Sequence, residues 1–524
     1  MSGPRPAASR QSKIQNRQSK IIMMVRTRFA PSPTGDLHIG GVRTALFSWL
    51  LAKHSGGQFF IRLEDTDQNR FVPGSARRIL ETFDWLGIQL DGGPDHASLK
   101  QLKSDEDYPG ALADGSYRGI PGPFIQSQRQ PLYKQWAEWL VEHDFAYRAN
   151  ETPEELDRMR AEASERKETF CFREEMRLRT DIRPDEPHVI RMRMPRTGVT
   201  QFHDMIKGDV TFENANVDDT VLMKADGFPT YHLAVVVDDH FQGVTHAVRA
   251  DEWLPSTPKH IQLYKDFGWD LPQFAHVPNV RGEDGKKLSK RTGATSVFEF
   301  RDQGYLQEAI INFLAMLGWA PGEGDEQNVF TVPELIERFS SDHIGSSPAV
   351  FSYSKLDWLN GVHIRRLGLE DLTQRLTPFL REAGLALDTP EEMDKLRRAV
   401  PLIQERLKTL RDAAPFVDFM FNDIPVPAKQ ALIGPKMDAA ASLTALRQTR
   451  DLLAQLPTFE DAPMEQAMRA LADQLQLKAK QLFTIVRNAV TGKDITPPLF
   501  GTISVIGREV TLQRLDRAID VLSQ

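Results

Sequence analysis

At 524 residues, with 40% hydrophobic side chains and a formal charge of −7, the chain has the composition of an ordinary globular protein and is too long for one domain; length alone predicts about three or four domains. No run of about 18 apolar residues occurs, so no membrane-spanning helix is expected. The single cysteine, Cys171, excludes an intramolecular disulfide and a Cys-rich zinc site, and fits a cytoplasmic location.

The first 24 residues carry Arg5, Arg10, Lys13, Arg17 and Lys20 among serines, with no acid. Transit peptides share that composition. Because Met24 directly precedes the first strand, a disordered tail or a start-site artefact is the preferred reading. Thr27 and Phe29 alternate with Arg26 and Arg28 as in a half-buried strand, which Pro31, Pro33 and Gly35 then end. From Gly41, the residues Val42, Leu46, Trp49 and Leu50 keep helical spacing until Gly56-Gly57 closes the helix. Phe59–Ile61 reads as a short buried strand and Ile79, Phe83 and Leu86 as a helix face, the first half of a doubly wound sheet. Glu64 falls just past that strand's C-terminal end, where such sheets place ligands.

The stretch from Gly92 to Pro123 is rich in Gly, Pro, Asp and Ser; Tyr133, Trp136, Trp139 and Leu140 resume a helical period. Val189–Met194 alternates as a strand with a basic face. From Val221 to about Phe298 the pattern returns to a sheet, with Leu233–Val237 as one apolar run and Gly243–Val248 as a further strand ending at Arg249. Leu306, Ile310, Phe313, Leu314 and Leu317 begin a helical region, and almost everything after Arg365 is helical.

Two segments carry chemistry. In the first, His38-Ile39-Gly40-Gly41 lies where a helix begins, so backbone N–H groups and the positive end of the dipole make an anion site. A lone histidine beside glycines is more often structural. In the second, Gly285-Lys286-Lys287-Leu288-Ser289-Lys290-Arg291 places four basic residues next to glycine, as in a loop that closes over phosphates or in a plain solvated turn.

Together these segments resemble the HIGH and KMSKS signatures of the class I aminoacyl-tRNA synthetases, and within them the bacterial-type glutamyl subfamily. Phe59-Phe60-Ile61-Arg62-Leu63-Glu64-Asp65-Thr66-Asp67, Asp226–Ala234, Asp238-Asp239-His240, Val248–Leu254, Ser256–His260, Ala489–Gly492 and Pro497–Phe500 are similar to further blocks of that subfamily, so the likeness runs from about Val25 to the end. It implies a Rossmann-like doubly wound parallel catalytic sheet with an α+β insertion domain, followed by an all-helical anticodon-binding region. The expected division is a basic extension over 1–24, catalytic halves over 25–118 and 221–300, an acceptor-stem-binding insertion over 119–220, a helical stem-contact region over 301–365 and the anticodon region over 366–524.

The implied reaction is ATP-dependent ligation of L-glutamate to the 3′ end of its tRNA through a glutamyl-adenylate, with Mg²⁺ entering with ATP. The resemblance assigns Arg28, Ala30, Ser32, Glu64, Tyr231 and Arg249 to glutamate. It assigns His38, Gly40, Gly41, Glu252, Lys287, Ser289, Lys290 and Arg291 to ATP, with His38, Lys287 and Lys290 acting in catalysis. An arginine suits a side-chain carboxylate because its paired donors match the anion and mismatch the neutral amide of glutamine. Val235 stands where some relatives have asparagine, and Arg148-Ala149-Asn150 follows Tyr147 where some carry zinc-binding cysteines, so structural zinc is not expected. Arg406, Lys408, Arg411, Lys478, Lys480 and Arg487 are candidate RNA contacts or simply a solvated surface. A net acidic chain still binds RNA through a local basic face. A monomer without membrane contact is expected. Nucleotidyltransferases and glutamyl-queuosine-tRNA synthetases of the same superfamily are much shorter, and a non-catalytic relative predicts damaged signatures, which are intact here.

Overall fold

The computed structural model describes residues 24–95, 99–102, 119–286, 288 and 296–524. Its centre is a parallel sheet. Strand β1 (Arg26–Phe29) crosses through helix α1 (Ile39–His54) to β2 (Gln58–Ile61), with Arg28 opposite Phe60 in the parallel register. Twelve of the 16 residues of α1 are buried, which is why it reads as apolar nearly all round. It ends where predicted, in a Schellman turn: Gly56, at φ +65°, donates to Lys53 O and Gly57 donates to Ala52 O. A Cβ on Gly57 would lie 1.9 Å from Val25 O, so only glycine lets this turn abut the start of β1. Helix α2 (Ser75–Trp85) packs Ile79 and Phe83 into the same core as Phe59 and Ile61.

The chain leaves the sheet through α3 (Gln130–Glu142), β3 (Ala146–Ala149), α4 (Pro153–Glu165), β4 (Val189–Met192), β5 (Val199–Asp204), β6 (Gly208–Glu213) and β7 (Val221–Met223). Strands β3, β4 and β7 form an antiparallel sheet in that order. Its loops converge on the fully buried Asp219, which accepts from Tyr147 Oη (2.9 Å), both Nη atoms of Arg196 (2.9 and 3.0 Å), and the backbone N of Glu174 and Met194 (3.0 Å each). A carboxylate thus gathers the segment that follows Tyr147. Among the described residues no group of three or more His, Cys, Asp or Glu is arranged to hold a metal. The β5–β6 hairpin lies inside the stretch expected as a separate insertion, yet β5 pairs in parallel with β9 (Gln273–Val277) and so extends the catalytic sheet.

The return differs from the sequence expectation in one place. Leu233–Val237, read as part of the sheet, lies in helix α5 (Tyr231–Phe241). All five residues are buried, so five apolar positions in a row conceal the helical period. The strand that follows, β8, is His246–Ala250; it pairs with β9, placing Arg249 opposite His276. Helix α6 (Thr257–Phe267) packs on α5. β8 also flanks β1, where Thr245 N donates to Arg26 O at 3.0 Å.

Beyond residue 300 the structure is helical apart from the short strand Ala349–Val350. The helix Gln307–Met316 serves two cores: Ile310, Phe313 and Leu314 join the catalytic one, Leu306 and Ala309 the C-terminal one. The joint is tight. Gly304 (φ +84°) accepts from Leu410 N at 2.9 Å, and a Cβ on it would lie 2.8 Å from the backbone N of both Leu410 and Arg411. Asn360 accepts from Leu306 N and donates to Lys408 O across the same seam. No helix among the described residues is long and apolar enough to cross a membrane.

Candidate active site

A cavity of about 800 Å³ opens at the C-terminal ends of β1 and β8 and the entry to α1. Of the residues assigned from sequence, Arg28, Ala30, Ser32, His38, Gly41, Glu64, Tyr231, Arg249 and Glu252 all line it. Gly40 does not; its N–H is taken by His38 Nδ1 at 3.1 Å, making His38 the N-cap of α1. Lys287, Ser289, Lys290 and Arg291 lie outside the described residues. Leu288, between them, is buried, and its carbonyl sits 3.2 Å from His38 Nε2. Since Nδ1 accepts from Gly40, Nε2 carries the proton and donates to Leu288 O. The two signature segments therefore touch, although 250 residues separate them.

One wall is an ion cluster. Arg28 donates from Nε (3.0 Å) and Nη2 (3.1 Å) to the two oxygens of Asp239 and from Nη1 to Val248 O. Arg62, fully buried, lies 2.9 Å from Asp239 and donates to Glu64 at 3.2 Å. Asp238 accepts from Arg129 Nε (2.7 Å), Gln126 and Tyr133 Oη. Three buried arginines face three buried carboxylates. Burial pushes the Asp239 carboxyl up, but Arg28 and Arg62 outweigh it and hold it below the usual range. Glu64 goes the other way: burial dominates over Arg62 and Arg28, and its carboxyl is pushed up to about 7. α5 explains part of this wall, because Asp238 and Asp239 follow its apolar run on the buried side. Both were visible in the motif, but their role as partners of Arg28, Arg62 and Arg129 was not.

The opposite wall is built differently. Arg249, 6% exposed, donates from Nε to His276 Nε2 (2.9 Å), from Nη1 to His260 Nδ1 (2.8 Å) and from Nη2 to Thr257 Oγ1 (2.8 Å), with Tyr231 Oη at 3.4 Å from Nη1. Among the described residues none of its hydrogen bonds goes to a carboxylate. A guanidinium only donates, so both imidazole nitrogens facing it are acceptors. The protons then sit on the other nitrogens: His276 Nδ1 donates to Asp204 Oδ2 (2.6 Å) and His260 Nε2 to His232 Nδ1 (3.1 Å). Burial, with Arg249 next, drives His260 well below the usual histidine range. Burial also lowers His276 against the pull of Asp204, and lowers His232 to about 4 with Lys259 adding to it. The three rings are neutral. Val235 presents an apolar side chain to the cavity where an asparagine would add a polar contact.

The candidate RNA-contacting cations in the helical region are not equivalent. Arg411 is held bidentately by Glu382 at 3.0 Å, whereas Arg406, Lys408, Lys478, Lys480 and Arg487 make no ion pair among the described residues.

Fold and cavity together define a nucleotide-binding α/β enzyme carrying a helical C-terminal region. The family model for tRNA synthetases class I (E and Q), catalytic domain, matches residues 24–358, and that for an anticodon binding domain matches 371–519. The chain belongs to the class I tRNA synthetases of the E and Q group. It is 44% identical over 501 residues to a glutamate–tRNA ligase of Dehalococcoides mccartyi, covering 95% of this chain and 98% of that one. Identity is also 44% to the glutamate–tRNA ligase of Roseiflexus castenholzii, over 95% and 97% of the two chains. A crystal structure of a glutamate tRNA ligase from Elizabethkingia meningosepticum, in complex with its amino acid, superposes with a TM-score of 0.82 at 32% identity, covering 95% of this chain and all of that one.

Proposed function

We propose that this enzyme ligates L-glutamate to the 3′ end of its tRNA, and that the cavity holds glutamate and ATP side by side. The observation that carries the residue assignment is Arg249: a buried cation at the cavity wall, hydrogen-bonded among the described residues only to neutral groups. Three of its five N–H hydrogens are taken in short bonds and a fourth points at Tyr231 at 3.4 Å, so donors and the full charge are available to an incoming anion. A glutamate side-chain carboxylate supplies that anion; the amide of glutamine does not, and leaves the buried cation unmatched. Arg28, already held by Asp239, keeps one hydrogen on each Nη for the same ligand. Ala30, Ser32 and Tyr231 line the remaining space, and ionised Glu64 meets the substrate ammonium.

Activation follows from position. The α-carboxylate oxygen of glutamate attacks the α-phosphorus of ATP in line and pyrophosphate departs, so the protein supplies orientation and charge stabilisation rather than a covalent nucleophile. His38, Gly41 and Glu252 face the ATP end of the cavity, and His38 exchanges its bond to Leu288 O for a phosphate oxygen. Lys287 and Lys290, assigned by sequence, neutralise the leaving pyrophosphate, whose Mg²⁺ arrives with ATP. A hydroxyl of the terminal adenosine then attacks the glutamyl carbonyl and AMP leaves.

The test is aminoacylation of glutamate-tRNA and glutamine-tRNA transcripts with each amino acid. Glutamate is expected to be attached and glutamine rejected. Comparable attachment of glutamine, or near-normal glutamate use by R249A, overturns the assignment of Arg249.

A further inference from the structure

Arg249 has imidazole partners, unlike the arginines of the facing wall. At and behind the facing wall each buried guanidinium has a carboxylate against it: Arg28 has Asp239, Arg62 has Asp239 and Glu64, and Arg129 has Asp238. Around Arg249 the corresponding positions hold imidazoles. His276 lies directly opposite on β9, in register with Arg249, so both side chains rise from the same face of the sheet. His260 comes from the first turn of α6, which also brings Thr257. Each ring presents a lone pair to the guanidinium, and each is fixed in that tautomer from behind, His276 by Asp204 and His260 by His232. The Asp204 carboxylate is itself saturated, accepting from the backbone N of Ile206, Lys207 and His276, and reaches Arg249 only across the imidazole.

We infer that His260 and His276 are positioning residues that determine specificity: as neutral acceptors they lock the Arg249 guanidinium in place without cancelling its charge, and so direct that charge at the substrate carboxylate. A carboxylate in either place would hold the arginine equally well but neutralise it, as Asp239 does for Arg28. A purely apolar neighbour would leave the charge but lose the orientation, and would strand buried N–H groups. A neutral acceptor of fixed tautomer meets both needs. Burial keeps both rings uncharged, because a protonated ring would lose its acceptor and face a second cation. The inference rests on the reading that Arg249 binds the carboxylate of glutamate.

The test is steady-state aminoacylation with saturating tRNA, varying glutamate or ATP, on H276L, H276Q, H260F and H260Q beside R249A. H276L and H260F remove the acceptor and keep bulk. They are expected to raise the KM for glutamate roughly tenfold or more, the effect of losing a hydrogen bond to a charged group. The KM for ATP should stay within about threefold, and the preference for glutamate over glutamine should fall in parallel. H276Q and H260Q restore an acceptor oxygen and are expected to recover most of the loss, an outcome that a merely structural role would not produce. Melting curves establish that each variant is folded at the assay temperature. If R249A raises the glutamate KM while H276L and H260F leave it unchanged, the inference fails and the glutamate reading stands. If the glutamine variants are as impaired as H276L and H260F while melting normally, ring shape and not acceptance matters, and the inference fails. If R249A itself leaves the glutamate KM unchanged, both readings fall.

Discussion

Two walls of one cavity handle buried arginine in opposite ways. On the side of β1 and α5, Arg28, Arg62 and Arg129 are matched by Asp238, Asp239 and Glu64, so the charge is settled within the protein. On the side of β8, β9 and α6, Arg249 meets two imidazoles and two hydroxyls and, among the described residues, no carboxylate. Arg28 offers its remaining hydrogens to the ligand with its charge already shared with Asp239, whereas Arg249 offers a charge that its imidazole and hydroxyl partners leave intact.

The largest expected effect falls on the matched wall. D239A leaves Arg28 and Arg62 short of a carboxylate in the interior, and should destabilise the fold by about 3–5 kcal/mol, measured by urea unfolding. A smaller loss than that of an average surface substitution would erase the contrast between the walls. R249A should do the converse: a melting temperature close to the parent's, with kcat/KM for glutamate down about a thousandfold, the cost of two charged hydrogen bonds. K290A tests a third role, charge neutralisation at the leaving group, and should lower kcat about a hundredfold while the KM for glutamate moves little. A change confined to that KM would move Lys290 to the substrate-binding side of the comparison.

The next effect is expected from pH. Burial pushes Glu64 up to about 7, and it must be ionised to face the substrate ammonium. Binding therefore releases a proton below pH 7, and kcat/KM for glutamate should fall about tenfold per unit as pH drops from 7 toward 5. E64Q should flatten that limb, at reduced activity. The smallest effect separates two candidate RNA-contacting arginines: R406A should reduce the salt slope of tRNA binding by about one, while R411A, whose parent is engaged by Glu382, should change it less.

Much of the strand–helix order was legible from turn formers and spacing: Thr27 and Phe29 alternate with arginines before Pro31, and Val42, Leu46 and Trp49 keep a helical period up to Gly56, although Arg28 and most of α1 are buried. Leu233–Val237 was not, since a helix buried on all sides hides its period. Within the site, residues that meet substrate were legible through the family motifs, and nine of them line a single cavity. Their partners were not. Asp239, His276 and Asp204 act on Arg28 and Arg249 from 211, 27 and 45 positions away in sequence or through another side chain, and no local pattern encodes such a meeting. Gly40 illustrates the same point: only the three-dimensional turn reveals that the His38 ring accepts from its N–H.

The glycine at residue 304 bears on the scale of the whole molecule. Two domains meet there with backbone against backbone, and nothing larger than hydrogen fits between Gly304 and the amides of Leu410 and Arg411. Any side chain would act as a wedge at the fulcrum of a lever, and a shift of an ångström at the pivot grows in proportion along the helical arm. A residue with no side chain thereby sets the spacing between the catalytic region and the helical arm.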